Sequence, residues 1–101
     1  MSIPNEEDPL TLFHSWLADA EACDGIKEPT AMVLSTVDGD LVPDSRVVLL
    51  KKADADGFVF FTNLGSTKAK ELATNPGAAL CFYWMPLDKQ IRIRGRVEPV
   101  S

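Results

Sequence analysis

The sequence predicts a mainly β domain with flanking helices, its strands running antiparallel. Three observations lead there. After Pro29 the chain breaks into short apolar and β-branched runs, each closed by a turn signal. Residues 89–97 alternate polar and apolar side chains, the period of a half-buried strand. Helix signals are confined to two short segments, one before the strands and one among them. At 101 residues the chain is sized for one domain, read as a flexible arm over 1–7 and a folded unit over 8–101.

Asp8-Pro9 is a helix start, with Asp8 as N-cap and Pro9 in the first turn. Leu10, Phe13, Leu17 and Ala20 recur at helical spacing with Trp16 beside them, and the helix should stop near Asp24-Gly25. His14 lies off that stripe and reads as a surface residue rather than a ligand or base. Ala31 to Val37 forms a first strand, and Asp38-Gly39 is a hairpin turn signal. Leu41 to Lys52 is the second strand, with Pro43 demanding an edge or a bend near its start. After the turn at 54–57, Gly57 to Thr62 is a third strand. Thr67 to Thr74 reads as a short helix capped by Ser66 and ended by Asn75-Pro76-Gly77. Ala78 to Trp84 and Lys89 to Val97 complete a five-stranded set. An antiparallel sheet of this kind curls into a barrel or packs as a sandwich to hide its apolar face. The chain stops directly after a strand, so that edge calls for another subunit or for further chain.

Composition narrows the function classes. Hydrophobic residues make up 46% and charged residues 25%, as in ordinary globular domains. No apolar run approaches the ~20 residues that span a bilayer. The acidic opening, MSIPNEEDPL, lacks the apolar core of a secretory signal, so a cytoplasmic protein is expected, with neither membrane nor nucleic acid as partner. The net charge of −5 is uneven: residues 1–45 hold ten acidic side chains and one basic, residues 46–101 five acidic and nine basic. The later part can therefore receive an anion despite the acidic average. Cys23 and Cys81 have no metal-ligand spacing and read as small buried hydrophobes. A single histidine leaves no Ser-His-Asp or Cys-His set, and no metal cluster is visible. No catalytic side chain is assigned; hard chemistry here would come from an organic cofactor.

The best anion site is the stretch 62–70. Gly65 permits close backbone approach, the helix start after it offers free N–H groups, Ser66 and Thr67 add hydroxyls, and Lys68 adds charge. The alternative is a capped helix with solvated lysines. Neither a P-loop nor a Rossmann glycine pattern is present. Arg46 and Lys51 bracket an apolar strand. Five residues apart they point to opposite faces of a straight strand, so a shared site needs a bulge or both faces. Without more information they are two surface cations.

Taken in order, Asp8-Pro-Leu-Thr-Leu-Phe13, Pro29-Thr-Ala-Met32, Arg46-Val-Val-Leu-Leu-Lys51, Gly57-Phe-Val-Phe-Phe-Thr-Asn63, Gly65-Ser66 with Lys68, Asn75-Pro76 and Gln90 resemble the pyridoxamine 5′-phosphate oxidase family. The resemblance runs from about residue 8 to the last residue. It implies an FMN-binding split β-barrel, incomplete in this chain because the family continues further, and a homodimer with FMN at the subunit interface. It implies oxidation of pyridoxine or pyridoxamine 5′-phosphate to pyridoxal 5′-phosphate, O₂ taking the electrons to give H₂O₂. Arg46, Val47, Val48, Leu49, Leu50 and Lys51 would line FMN, with Arg46 near the phosphate and Lys51 also on substrate. Phe61, Thr62, Ser66, Thr67, Lys68 and Gln90 would complete the cofactor site. Thr67 stands where the family usually has arginine; one charge-assisted hydrogen bond lost costs ~1.5–3 kcal/mol. The alternatives are another FMN-binding split-barrel protein of flavin reductase type, or a non-catalytic FMN-binding or dimerisation module.

Overall fold

The computed structural model describes residues 8–61 and 76–97. The arm over 1–7 and the short helix expected over 67–74 lie outside the described residues. Helix α1 (Pro9–Glu21) begins where Asp8-Pro9 placed it. Asp8 accepts from the Thr11 hydroxyl at 2.8 Å and from the Leu10 amide at 3.0 Å. Those bonds, the threonine's first, favour the carboxylate and hold Asp8 below its ordinary range. The helix ends at Glu21, short of the expected Asp24-Gly25, because Ala22, Cys23 and Ile26 close successive turns of their own.

Five strands follow: β1 (Ala31–Val37), β2 (Pro43–Asp54), β3 (Gly57–Phe60), β4 (Gly77–Trp84) and β5 (Lys89–Arg96), with a 3₁₀ turn at Met85–Leu87. They form one antiparallel sheet in the order β3-β2-β1-β4-β5. β1 is central, paired with β2 through Val33↔Val47 and with β4 through Val33↔Cys81. β2 starts at Pro43, two residues later than expected, and proline is tolerated there as the first residue of a strand. β3 ends at Phe60, short of the expected Thr62.

The β1–β2 hairpin differs from a two-residue Asp-Gly turn. The Asp38 amide donates to Val42 and the Leu41 amide donates to Asp38, leaving a three-residue tip of Gly39, Asp40 and Leu41. Asp38 Oδ1 also accepts from the Asp40 and Val42 amides, both at 2.9 Å. In a tip of this length the last residue turns left-handed, a position that favours glycine. Here it is Leu41, at φ 65°.

One face of the sheet carries the core. Met32, Leu34, Thr36, Leu50, Leu80, Phe82 and Trp84 are buried with Phe13 and Ala20 of α1. Phe13 is the hub, its ring 5.0 Å from Phe58, 5.3 Å from Phe82 and 6.3 Å from Trp84. Burying such a ring contributes roughly 1.5–3 kcal/mol. Helix α1 reaches both ends of the strand order. His14 Nε2–H donates to the Ala53 carbonyl of β2 at 2.9 Å, while Lys89 of β5 places Nζ 5.1 Å from the Trp16 ring. Residues of β3 and β5, the two outermost strands, line one cleft with Leu10 and Phe13 of α1, so the sheet curls round α1 as a half-barrel. The split-barrel expectation holds in this form, with one α-helix among the described residues. Cys23 and Cys81 are free thiols and only half-buried.

Candidate cofactor-binding site

Alternation along β2 decides which of its side chains are available. Val48 is half-buried and Leu50 buried, so these two side chains belong to the core and leave only backbone for a ligand. Val47 and Leu49 point the other way and are 66% and 53% exposed. Arg46 is exposed at the end of the core-side row, opposite Leu34 in the register. Lys51 is exposed as well.

The pairing of β2 with β3 shifts between Leu50 and Lys52: Leu50 stands opposite Phe60, but Lys52 opposite Val59. Lys51 is the inserted residue. The core-facing positions are half-buried Val48 and buried Leu50 before it and half-buried Ala53 after it. One inserted residue converts the odd separation of Arg46 and Lys51 into an even one, which removes the argument against a shared face. Of the two routes to a joint site, a bulge or both faces, the bulge is present. Lys51 Nζ sits 4.4 Å from the centroid of the Phe61 ring, a cation–π contact on a side chain that is 71% exposed. Among the described residues Arg46 and Lys51 have no acidic side chain within ion-pair distance; Lys52 pairs with Asp54 at 3.6 Å.

Gln90 lies on β5, opposite Tyr83 of β4. Two strands separate it from β2, on the order of 14 Å in a flat sheet. Thr62, Ser66, Thr67 and Lys68, the phosphate-binding part of the expected site, lie outside the described residues. The outward face holds more than the sequence reading named. Val33 and Tyr83 are 39% and 64% exposed there, level with Val47 and Gln90. The signal was available: Phe82 and Trp84 are core-type residues, so Tyr83 between them must face out. Arg92 and Arg94 continue the Gln90 side of β5, and the Ser35 and Ser45 hydroxyls meet across β1 and β2 at 3.0 Å.

Chemically, β2 offers exposed apolar side chains from Val47 and Leu49 on its outward face, an exposed guanidinium at the end of its core-side row and, at the bulge, an ammonium held over an aromatic ring. Such a surface suits a flat heteroaromatic ring with an anionic tail, and FMN has that form. Among the described residues no group of three or more acidic, cysteine or histidine side chains has metal-binding geometry.

A profile of the family described as pyridoxamine 5′-phosphate oxidase matches residues 18–101. The chain belongs to that family. A pyridoxine/pyridoxamine 5′-phosphate oxidase from Caulobacter vibrioides (strain NA1000 / CB15N) is 56% identical over 100 residues, covering 96% of this chain and 43% of that protein. One from Maricaulis maris (strain MCS10) is 53% identical with the same coverage. The chain thus spans less than half the length of these family members. Among solved structures, PhzG from Burkholderia lata 383, in complex with tetrahydrophenazine-1-carboxylic acid, superimposes with a TM-score of 0.90 at 31% identity, over all of this chain and 52% of that one. An FMN-binding, pyridoxamine 5′-phosphate oxidase-related protein from Nostoc punctiforme PCC 73102 gives 0.75 at 21% identity, over 95% of this chain and 47% of that one. These neighbours share the half-barrel. No helix among the described residues is long and apolar enough to cross a membrane.

Proposed function

We propose that the chain forms the FMN-binding part of an oxidase that converts pyridoxine or pyridoxamine 5′-phosphate to pyridoxal 5′-phosphate. The observation that carries this reading is the state of β2. Its Arg46-to-Lys51 string, a family motif, carries two exposed cations and two exposed apolar side chains in a fold whose relatives bear that enzyme's name. In this reading Arg46 and Lys68 neutralise the cofactor's phosphate, with Ser66 and Thr67 donating hydroxyl hydrogen bonds. Val47 and Leu49 form a dry shelf under the ring, while Val48 and Leu50 contribute backbone. Phe61 and Thr62 close one side, and Gln90 hydrogen-bonds the ring edge. Lys51, steadied by Phe61, also meets the substrate's anionic end. FMN supplies the redox chemistry when bound: it accepts hydride from the substrate's C4′, and O₂ takes the electrons to give H₂O₂. The uncovered apolar face of Val33, Val47, Leu49 and Tyr83 supports a homodimer in which a second copy covers it.

The purified chain tests this directly. Visible flavin absorbance, followed by peroxide release on adding pyridoxine 5′-phosphate under air, is the expected result. Flavin without peroxide reduces the proposal to a cofactor-binding module, and absence of flavin after reconstitution with FMN removes it. Arg46→Ala and Lys68→Ala should each weaken FMN binding by about ten- to a hundred-fold, the size of one charge-assisted hydrogen bond.

A further inference from the structure

Tyr83 of β4 stands opposite Gln90 of β5 in the register. Side chains opposed in this way have Cβ atoms about 4.5–5.5 Å apart on one face of the sheet, so the phenol and the Gln90 amide start side by side. Phe82 and Trp84, on either side of Tyr83, are buried in the core, whereas Tyr83 is 64% exposed on the outward face. Among the described residues its hydroxyl has no hydrogen-bond partner and its ring no ring contact. The core does not need this aromatic side chain, and nothing on its own face holds it.

β1 and β4 lie between β2 and β5. A flat ring that rests on Leu49 and reaches Gln90 of the same copy must cross the outward face of β4, where Tyr83 stands. A Gln90 that meets a ring held on the β2 of a second copy brings Tyr83 with it, because the two are neighbours across adjacent strands. Both arrangements put the phenol at the ring. We propose that Tyr83 is a further cofactor-binding residue, packing its ring against the FMN ring beside Gln90. This rests on the FMN reading above. Gln90 donates and accepts at the ring edge, and Tyr83 supplies aromatic area with a polar tip.

The pairing has a spectroscopic signature. Electron-rich phenol and indole rings quench flavin fluorescence by transient electron donation to the excited ring, and a phenylalanine ring does not. The chain has one tyrosine and two tryptophans. Trp84 is buried in the core and Trp16 packs against it from α1, which leaves Tyr83 as the electron-rich ring of the outward face. FMN is titrated into the purified chain and into its Tyr83→Phe and Tyr83→Ala variants, with flavin emission and lifetime recorded. Bound FMN should be dim in the wild type. Tyr83→Phe should keep the affinity within about two-fold but lose the quenching. Tyr83→Ala should lose the quenching and bind about two- to ten-fold more weakly, the size of one aromatic contact. Val42→Ala, on the hairpin tip, should match the wild type. Wild-type emission and affinity in both Tyr83 variants overturn the proposal and leave the FMN reading standing. So does a weakened Tyr83→Ala whose bound flavin stays dim, since a purely structural role moves affinity without emission. A wild type that binds no FMN removes the cofactor reading and this proposal with it.

Discussion

The indole N–H of Trp84 donates to the Pro29 carbonyl at 3.0 Å, joining the end of β4 to the segment that leads into β1. Trp84 is almost fully buried, and the bond itself is part-buried. Trp84→Phe keeps a ring in the core but removes the bond and leaves a void. It should cost about 1–3 kcal/mol. Urea unfolding followed by circular dichroism measures this, and an unchanged midpoint would show that the contact contributes nothing.

Leu41 occupies a left-handed backbone position at the hairpin tip with its side chain 76% exposed. A branched side chain there is strained by about 1–2 kcal/mol, and little packing compensates. Leu41→Gly should therefore raise stability, by up to about 1 kcal/mol after glycine's own entropic cost. A lower melting temperature would contradict the strain argument.

Asp8 links helix stability to pH. Its pKa is lowered in the folded state by the Thr11 hydroxyl and the Leu10 amide. A group with a depressed folded pKa stabilises above its unfolded value, 3.8, and loses that contribution as pH falls through the folded value. The α1 circular dichroism signal should thus weaken on acidification below that point. Asp8→Asn caps without titrating, so its acid response should be flatter. Identical acid profiles for the two would remove Asp8 as the cause.

Val47 tests the homodimer. Its side chain is 66% exposed on the outward face, and its register partner Val33 is exposed on that face too. Val47→Asp places a charge at the centre of that face, where a desolvated interface cannot hold it unpaired. Sedimentation should shift from dimer to monomer, whereas a wild type that is already monomeric refutes the arrangement.

Much of the fold was readable because local rules and tertiary demands agree. Asp8-Pro9 starts α1 and the arginine–isoleucine alternation is β5. Asp38-Gly39 marked the hairpin but not its left-handed residue, Leu41; that position follows from backbone pairing of Asp38 with Val42, which no dipeptide signal encodes. The pairing of β1 with β4 was hidden too, since it joins segments more than forty residues apart and no turn announces it. For the site, Arg46 and Lys51 stood out as cations in an apolar strand, and their need for a bulge or for both strand faces could be stated in advance. Which of Val47, Val48, Leu49 and Leu50 face outward became clear only once Met32 and Leu34 fixed the core side. Tyr83 escaped notice because aromatic residues suggest a core.

Arg92, Arg94 and Arg96 all stand on one side of β5, the strand at the sheet's rim. If two identical molecules tried to zip together along that rim, their guanidinium rows would meet, and like charges opposed across neighbouring strands repel. Among the described residues no strand lies beyond β5. The arginines thus discourage runaway self-stacking of the chain along that rim.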